Sequence, residues 1–252
     1  MRKTILISGA SAGLGEGMAR IFAAKGHNLA LTARRLDRLQ TLKSELEAAN
    51  PSITVSVHAM DVNDSESVFA GFAEAIAAHG HLDRVIVNAG LGKGARIGTG
   101  GFKANSETVV TNVLGALAQC EAAMEHFYAR KSGHLVMISS MSAMRGMPST
   151  MATYAATKRM VAHLAEGIRM DLVGRKGLDI KVTTIYPGYI ESEMNDKAEQ
   201  QSPLIVPTEV GCQAMVKAIL KEPDEASVPQ WPWVPIGEIM KIAPRSIVRK
   251  MV

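Results

Sequence analysis

A chain of 252 residues with 47% hydrophobic and 21% charged side chains has ordinary globular composition, which excludes disordered and fibrous classes. Its net charge of +4 comes from scattered Lys and Arg, without the stacked basic face expected of a nucleic-acid binder. Cys120 and Cys212 lie far apart without Cys or His company, so they read as reduced thiols within helices, and no metal site is expected.

The N-terminal Met1-Arg2-Lys3 followed by Thr4–Ile7 faintly imitates a signal peptide, but the apolar run stops at Ser8-Gly9. No stretch reaches the ~18 apolar residues that a membrane span needs. A soluble, intracellular, cytoplasmic protein is expected.

In chain order, short β-rich runs alternate with longer helical patterns. Strands are predicted over Lys3–Ser8, Asn28–Ala33, Ile53–His58, Arg84–Asn88, His134–Ser139 and Lys181–Tyr186, several nearly all apolar. Helical periodicity covers Leu14–Lys25, Leu36–Ala49, Ser65–His79, about Ala104–Lys131 and about Ala152–Val173. Asp64 stands where it can cap the third helix. Such alternation forces parallel pairing through right-handed crossovers, giving an α/β, doubly wound sheet with helices on both faces. Periodicity alone does not separate this from a flavodoxin-like sheet; the motifs must. With no repeat or linker, one domain over residues 1–252 is expected. From Glu222 the chain changes character, as Pro223, Pro229, Pro232, Pro235 and Pro244 crowd the tail.

The first strand runs into Gly9-Ala10-Ser11-Ala12-Gly13-Leu14-Gly15, which opens the first helix. Glycines there allow a sharp turn and close approach of a pyrophosphate, while the helix N-terminus offers free N–H groups. The second strand ends in Thr32-Ala33-Arg34-Arg35, with no carboxylate to grip a ribose hydroxyl. A guanidinium matches a 2′-phosphate instead, so Arg34, with Arg35 beside it, points to NADP(H). The competing reading makes both arginines the start of a solvated helix face. Tyr154-Ala155-Ala156-Thr157-Lys158 places a phenol and an ammonium at i and i+4 on one helix face, opening into one cleft. A tyrosine near its ordinary pKa of ~10 donates protons but accepts them poorly, and a nearby ammonium corrects this.

The Gly-x-x-x-Gly-x-Gly spacing resembles the short-chain dehydrogenase/reductase family, and further features follow that family's order over about residues 3–194. The resemblance implies a Rossmann-type sheet and an oxidoreductase moving hydride between NADP(H) and a carbonyl or alcohol. Tyr154 would be general acid/base, and Lys158 would lower its pKa and hold the nicotinamide ribose. The serine that orients the substrate oxygen is the second of Ser139-Ser140, although Ser140 lies one residue farther from the tyrosine than is usual. A one-residue insertion in the loop 145–151 would account for this, and Ser142 competes for the role. Asn112 matches an asparagine that bends its helix and supports a proton relay. Asp61 and Val62 would edge the adenine, and Asn88-Ala89-Gly90 would line the cofactor. Pro187-Gly188, the backbone of Ile190 and the hydroxyl of Ser192 would clamp the carboxamide. Asp61 also reads as a loop cap.

Residues 193–207 are expected to form a substrate lid. Met141, Met144, Met147 and Met151 would line an adaptable apolar cleft. The tail carries Trp231 and Trp233, then an apolar stripe of Ile236, Ile239, Met240, Ala243 and Ile247 opposed by Lys241, Arg245, Arg249 and Lys250. Packing on the subunit or a partner subunit is favoured for this stripe over contact with an anionic membrane. A homodimer or homotetramer is what the family's habit implies. A cofactor-binding sensor or scaffold without turnover is the alternative to an enzyme.

Overall fold

The structure, a computed structural model, describes residues 2–92, 94–191 and 204–251. Its strands are β1 (Thr4–Ser8), β2 (Asn28–Ala33), β3 (Val55–Ala59), β4 (Arg84–Val87), β5 (Ser132–Ile138), β6 (Asp179–Pro187) and β7 (Glu225–Val228). They form one seven-stranded sheet in the order β3-β2-β1-β4-β5-β6-β7, and every neighbouring pair is parallel. The chain winds outward from β1 in one direction and from β4 in the other. That reversal opens a crevice at the C-terminal ends of the central strands.

The helices are α1 (Gly13–Ala24), α2 (Leu36–Ala49), α3 (Ser65–His79), α4 (Phe102–Val109), α5 (Gly115–Arg130), α6 (Met151–Leu172), α7 (Thr208–Ile219), α8 (Gln230–Ile242) and α9 (Arg245–Met251). Alternation along the strands explains the two layers. Ile5, Ile7, Leu29 and Leu31 meet Phe22 of α1, Leu42 of α2 and Met215 of α7. Their neighbours Leu6 and Ala30 face the other way, with Val85 and Leu135, onto Phe72 of α3, Phe127 of α5 and Val161 of α6. Both faces are covered, so the strands are apolar nearly throughout.

Several boundaries differ from the sequence expectation for identifiable reasons. The long helix predicted from about Ala104 to Lys131 is interrupted by a π-helical turn at Val110–Leu114, centred on buried Asn112. Helix α7 and strand β7 were not expected. Strand β7 pairs with β6, and the helical tail stripe follows as α8 and α9 on either side of Pro244. Asp64 caps α3 as expected, its carboxylate accepting from the Glu66 N–H at 3.0 Å. Both cysteines lie buried in helices, and burial pushes Cys120 to about 12 and Cys212 to about 11, so neither is poised as a nucleophile. Among the described residues no helix is long and apolar enough to cross a membrane.

The opposite, N-terminal end of the sheet is pinned by a buried polar cluster. Arg84 of β4 donates from Nε to His134 Nδ1 at 2.8 Å and from an amino group to Glu222 at 2.9 Å. Because Nδ1 accepts, the ring proton sits on Nε2 and goes to Thr183 Oγ1 at 2.8 Å. Burial, then the Arg84 charge, holds His134 well below its ordinary 6.5. The folded protein therefore keeps this ring neutral, while the unfolded chain protonates it near 6.5. The stability from this site is complete above pH 6.5 and declines as pH falls below it, by up to about 1.4 kcal/mol per pH unit. Burial also lowers His27, His79 and His126, which act in the same sense. Urea unfolding between about pH 7.5 and about pH 5 checks this, and a midpoint that does not move would contradict it.

Candidate active site

The crevice is assembled from the C-terminal ends of β1, β2, β4, β5 and β6. At its first edge the Gly9–Gly15 turn leaves β1. Gly9 (φ 66°) and Gly13 (φ 56°) occupy the left-handed region, which other residues enter only with strain. Gly15 is buried so closely on the end of β1 that a Cβ there would overlap the Gly9 carbonyl and lie 2.8 Å from Asn88 Nδ2. No side chain caps α1, so its leading N–H groups face the crevice, with Leu14 in the first turn.

Arg35 reaches across this turn and donates to Ser11 Oγ from Nε at 3.2 Å and from an amino group at 3.1 Å. Arg34 is exposed at the end of β2. The two guanidiniums thus stand differently: Arg35 is held on the glycine turn and Arg34 faces solvent. Asp61 accepts from the Asn63 N–H at 3.0 Å, the loop-capping arrangement. Val62 packs on Gly115 at the start of α5.

At the centre, Asn88 Nδ2 donates to the Ser8 carbonyl at 2.9 Å, tying β4 to β1. The Asn88 and Ala89 N–H groups both donate to Ser8 Oγ at 3.1 Å. A Cβ on Gly90 would lie 3.3 Å from both Asn112 Oδ1 and Lys158 Nζ, so glycine keeps the bottom of the crevice open between them. The π turn aims Asn112 inward. Its Oδ1 accepts from the Leu91 N–H at 2.7 Å, and its Nδ2 donates to the Leu91 carbonyl at 2.9 Å and to Thr157 Oγ1 at 3.1 Å.

The far wall carries Ser140, Tyr154 and Lys158. Buried Lys158 donates to the Ile138 carbonyl at 2.9 Å and sits 5.8 Å from the Tyr154 ring centre. Burial draws its ammonium down to about 8. The phenol faces Ser140, which favours its ionised form. Ser140 Oγ accepts from the Ser142 N–H at 3.2 Å and from Ser142 Oγ at 3.1 Å, which leaves its own proton for the Tyr154 oxygen. The two candidate serines thus act in series, Ser140 facing the phenol and Ser142 behind it. Ser139 has a different task, donating to the Lys158 carbonyl at 2.7 Å.

One expectation is corrected here. Lys158 was expected to bring the phenol below its ordinary value, yet the net direction is upward. Burial raises Tyr154 most, and Ser140 opposes it only in part. As the structure stands, Tyr154 is a protonated phenol at neutral pH, a donor rather than an acceptor.

Pro187, the last residue of β6, and Ile190 beyond it are buried, and Ile190 bridges to Val206. Ser192 and residues 193–203 of the expected lid lie outside the described residues. Leu204 joins Tyr189, Trp233, Met141 and Met144 in an apolar cluster on the substrate side, while Met147 and Met151 pack on Met240 and Met144 in the next. Of the tail stripe, Met240 and Ala243 are buried and Ile236 packs inward, whereas Ile239 and Ile247 remain exposed. Sequence reasoning missed the Trp233–Gly188 contact and the Arg35–Ser11 bond. An arginine beside a strand end that faces a serine-bearing glycine turn was the available signal for the second.

Comparison with known proteins gives the class. The sequence profile described as short chain dehydrogenase matches residues 3–203, and the chain belongs to that family of oxidoreductases, with its nicotinamide-dinucleotide-binding fold. An uncharacterized oxidoreductase of Mycobacterium tuberculosis (strain ATCC 25618 / H37Rv) is 49% identical over 249 residues, covering 99% of this chain and 97% of that protein. The alcohol dehydrogenase of the archaeon Thermococcus sibiricus, complexed with 5-hydroxy-NADP, is similar at a TM-score of 0.78 and 26% identity, covering 90% of this chain and 95% of that one. A short-chain dehydrogenase/reductase of Burkholderia phymatum in complex with NAD shares the fold at a TM-score of 0.82 and 19% identity, with 94% and 92% covered.

Proposed function

We propose that this protein is an NADP(H)-dependent carbonyl reductase or alcohol dehydrogenase in which Tyr154 exchanges the proton with the substrate oxygen. The observation that carries the reading is buried Lys158 set 5.8 Å from the Tyr154 ring centre and anchored on the Ile138 carbonyl, with Ser140 on the same wall, at the C-terminal ends of the central strands. A dinucleotide fits the opposite edge: the glycine turn admits no side chain, the α1 N–H groups are uncapped, and Arg35 is already braced on Ser11. Gly9, Ser11, Gly13, Leu14 and Gly15 would hold the pyrophosphate. Arg34 and Arg35 would hold the 2′-phosphate. Asp61 and Val62 would border the adenine, and Asn88, Ala89 and Gly90 the ribose side. Pro187, Gly188, Ile190 and Ser192 would seat the nicotinamide. The cofactor supplies or accepts the hydride.

The chain's own residues manage the proton. Ser140 donates toward the substrate oxygen and stabilises charge developing there. Tyr154, a neutral phenol by its burial, protonates that oxygen during reduction. Lys158 keeps a positive charge beside the phenol, and Asn112 fixes the floor next to the ammonium and supports a proton relay. Partly exposed Met144, Met151, Tyr189 and Leu204, packed on the buried clusters behind them, support an apolar substrate. The reading is completed by a single domain over residues 1–252, a cytoplasmic location and a homodimer or homotetramer.

Purified protein with NADPH or NADH and a panel of aldehydes, medium-chain ketones and long-chain 3-oxo compounds, followed at the reduced-nicotinamide absorbance, tests the class. NADPH binding without turnover on any carbonyl would favour a sensor or scaffold instead. The arginines make a separate prediction. A charge-assisted bond to phosphate contributes roughly 1.5–3 kcal/mol, so Arg35→Ala and Arg34→Ala should each raise the KM for NADPH about tenfold or more. The KM for NADH should stay unchanged. A wild-type preference for NADH would overturn the assignment of both.

A further inference from the structure

We infer that Trp233, a tail residue outside the motifs, is a positioning residue that sets the Pro187–Ile190 turn and thereby the nicotinamide end of the cofactor. The inference rests on the reading of that turn proposed above. Two tryptophans stand two residues apart at the entrance to α8, with opposite surroundings: Trp231 is 79% exposed, while Trp233 is 4% exposed. The Trp233 indole lies flush on Gly188, so that a Cβ there would fall inside the ring. The Tyr189 ring meets it edge-on, with centres 5.2 Å apart and planes at 85°. Behind it lie Met141 and Ala143 of the short turn after Ser140, and Ala162 of α6.

The side chain that covers the cofactor turn therefore shares one packed cluster with the turn that follows the substrate-orienting serine and with the helix carrying Tyr154. The backbone strengthens the link, because the Gly188 N–H donates to the Val228 carbonyl at 2.9 Å, at the end of β7 where the tail begins. Among the described residues the buried indole N–H has no hydrogen-bond partner. A phenylalanine would satisfy apolar packing without leaving that donor unpaired, so stability alone does not explain tryptophan here. Its larger flat ring is what covers Gly188.

The test combines Trp233→Ala, Trp233→Phe and Gly188→Ala in the full chain. Amide exchange of residues 188–191 in the cofactor-free protein reads the turn directly, and titration with NADPH and NADH reads its use. Trp233→Ala is expected to expose the Gly188 and Glu191 amides while leaving the central strands protected, and to weaken NADPH binding about tenfold, as expected for a misplaced contact. Trp233→Phe should give the same pattern in smaller measure, which keeps the test informative if the alanine variant folds poorly. Gly188→Ala alone should weaken binding as strongly, and adding Trp233→Ala to it should cost nothing more, since the collision is then removed. Unchanged exchange in both Trp233 variants would overturn the inference. So would a loosened turn with unchanged NADPH affinity, which would leave a brace without a role in cofactor binding. Wild-type protein that binds neither nucleotide would sink the proposed function by itself, while the exchange data would still judge the brace.

Discussion

Tyr154→Phe is expected to lower turnover by about 10²–10⁴-fold while leaving NADPH affinity within about twofold. The ring keeps its place, because packing and the helix fix it and only the hydroxyl is lost. The proton lost is the phenol's, so Ser140 still orients the substrate oxygen but no acid protonates it. Burial raises the phenol, so it is in its proton-donating form near neutral pH. The loss should therefore appear in reduction across the neutral range, with the binding isotherm for NADPH hardly altered. A variant retaining more than about a tenth of wild-type turnover would remove Tyr154 from the proton path.

The second large effect is expected at the opposite edge. Gly15→Ala introduces a methyl that overlaps the Gly9 carbonyl and presses on Asn88 Nδ2 at 2.8 Å. Neither neighbour can yield freely, since the amide of Asn88 is bonded to the Ser8 carbonyl. Overpacking of this kind costs about 1–3 kcal/mol, and α1 must move off the ends of β1 and β4 to relieve it. NADPH binding should be lost together with that stability. Gly167→Ala is the matched control: Gly167 sits on the exposed face of α6 with open space around it and lies within regular helix. There the same change should stabilise the protein by about 0.5–1 kcal/mol and leave binding alone. Thermal melting with and without NADPH separates the two variants, and equal behaviour would show that the turn is not closely packed.

The elements most legible in the sequence were those whose signals are local. Leu36–Ala49 and Ser65–His79 coincide with the helices because apolar spacing and, for the latter, the Asp64 cap mark their limits. Strand β7 left no such mark, being four residues with Glu225 and Ser227 among them, placed in the sheet by pairing with β6. Prolines around it read as breakers, yet Pro223 and Pro229 merely flank the strand. The site divides the same way. Tyr154 and Lys158 were legible because one helix turn sets their spacing. The choice between Ser140 and Ser142 was not, because spacing counts residues and cannot show that one hydroxyl donates to the other. Trp233 and Gly188 meet across the fold, and the direction of the Tyr154 shift depends on burial, which spacing does not report.

The π turn at Val110–Leu114 has a bearing on how this chain can vary. It lodges one surplus residue in an otherwise continuous helical run, and each residue of a regular helix advances the side chains by about 100°. The surplus is absorbed within the turn, so the windings on either side keep one phase and Ala116, Cys120, Ala123 and Phe127 stay against the sheet. Deleting one residue there would restore ordinary winding without turning α5, and what would be lost is the inward aim of Asn112. The packing of this segment tolerates a one-residue deletion, whereas the floor of the crevice does not.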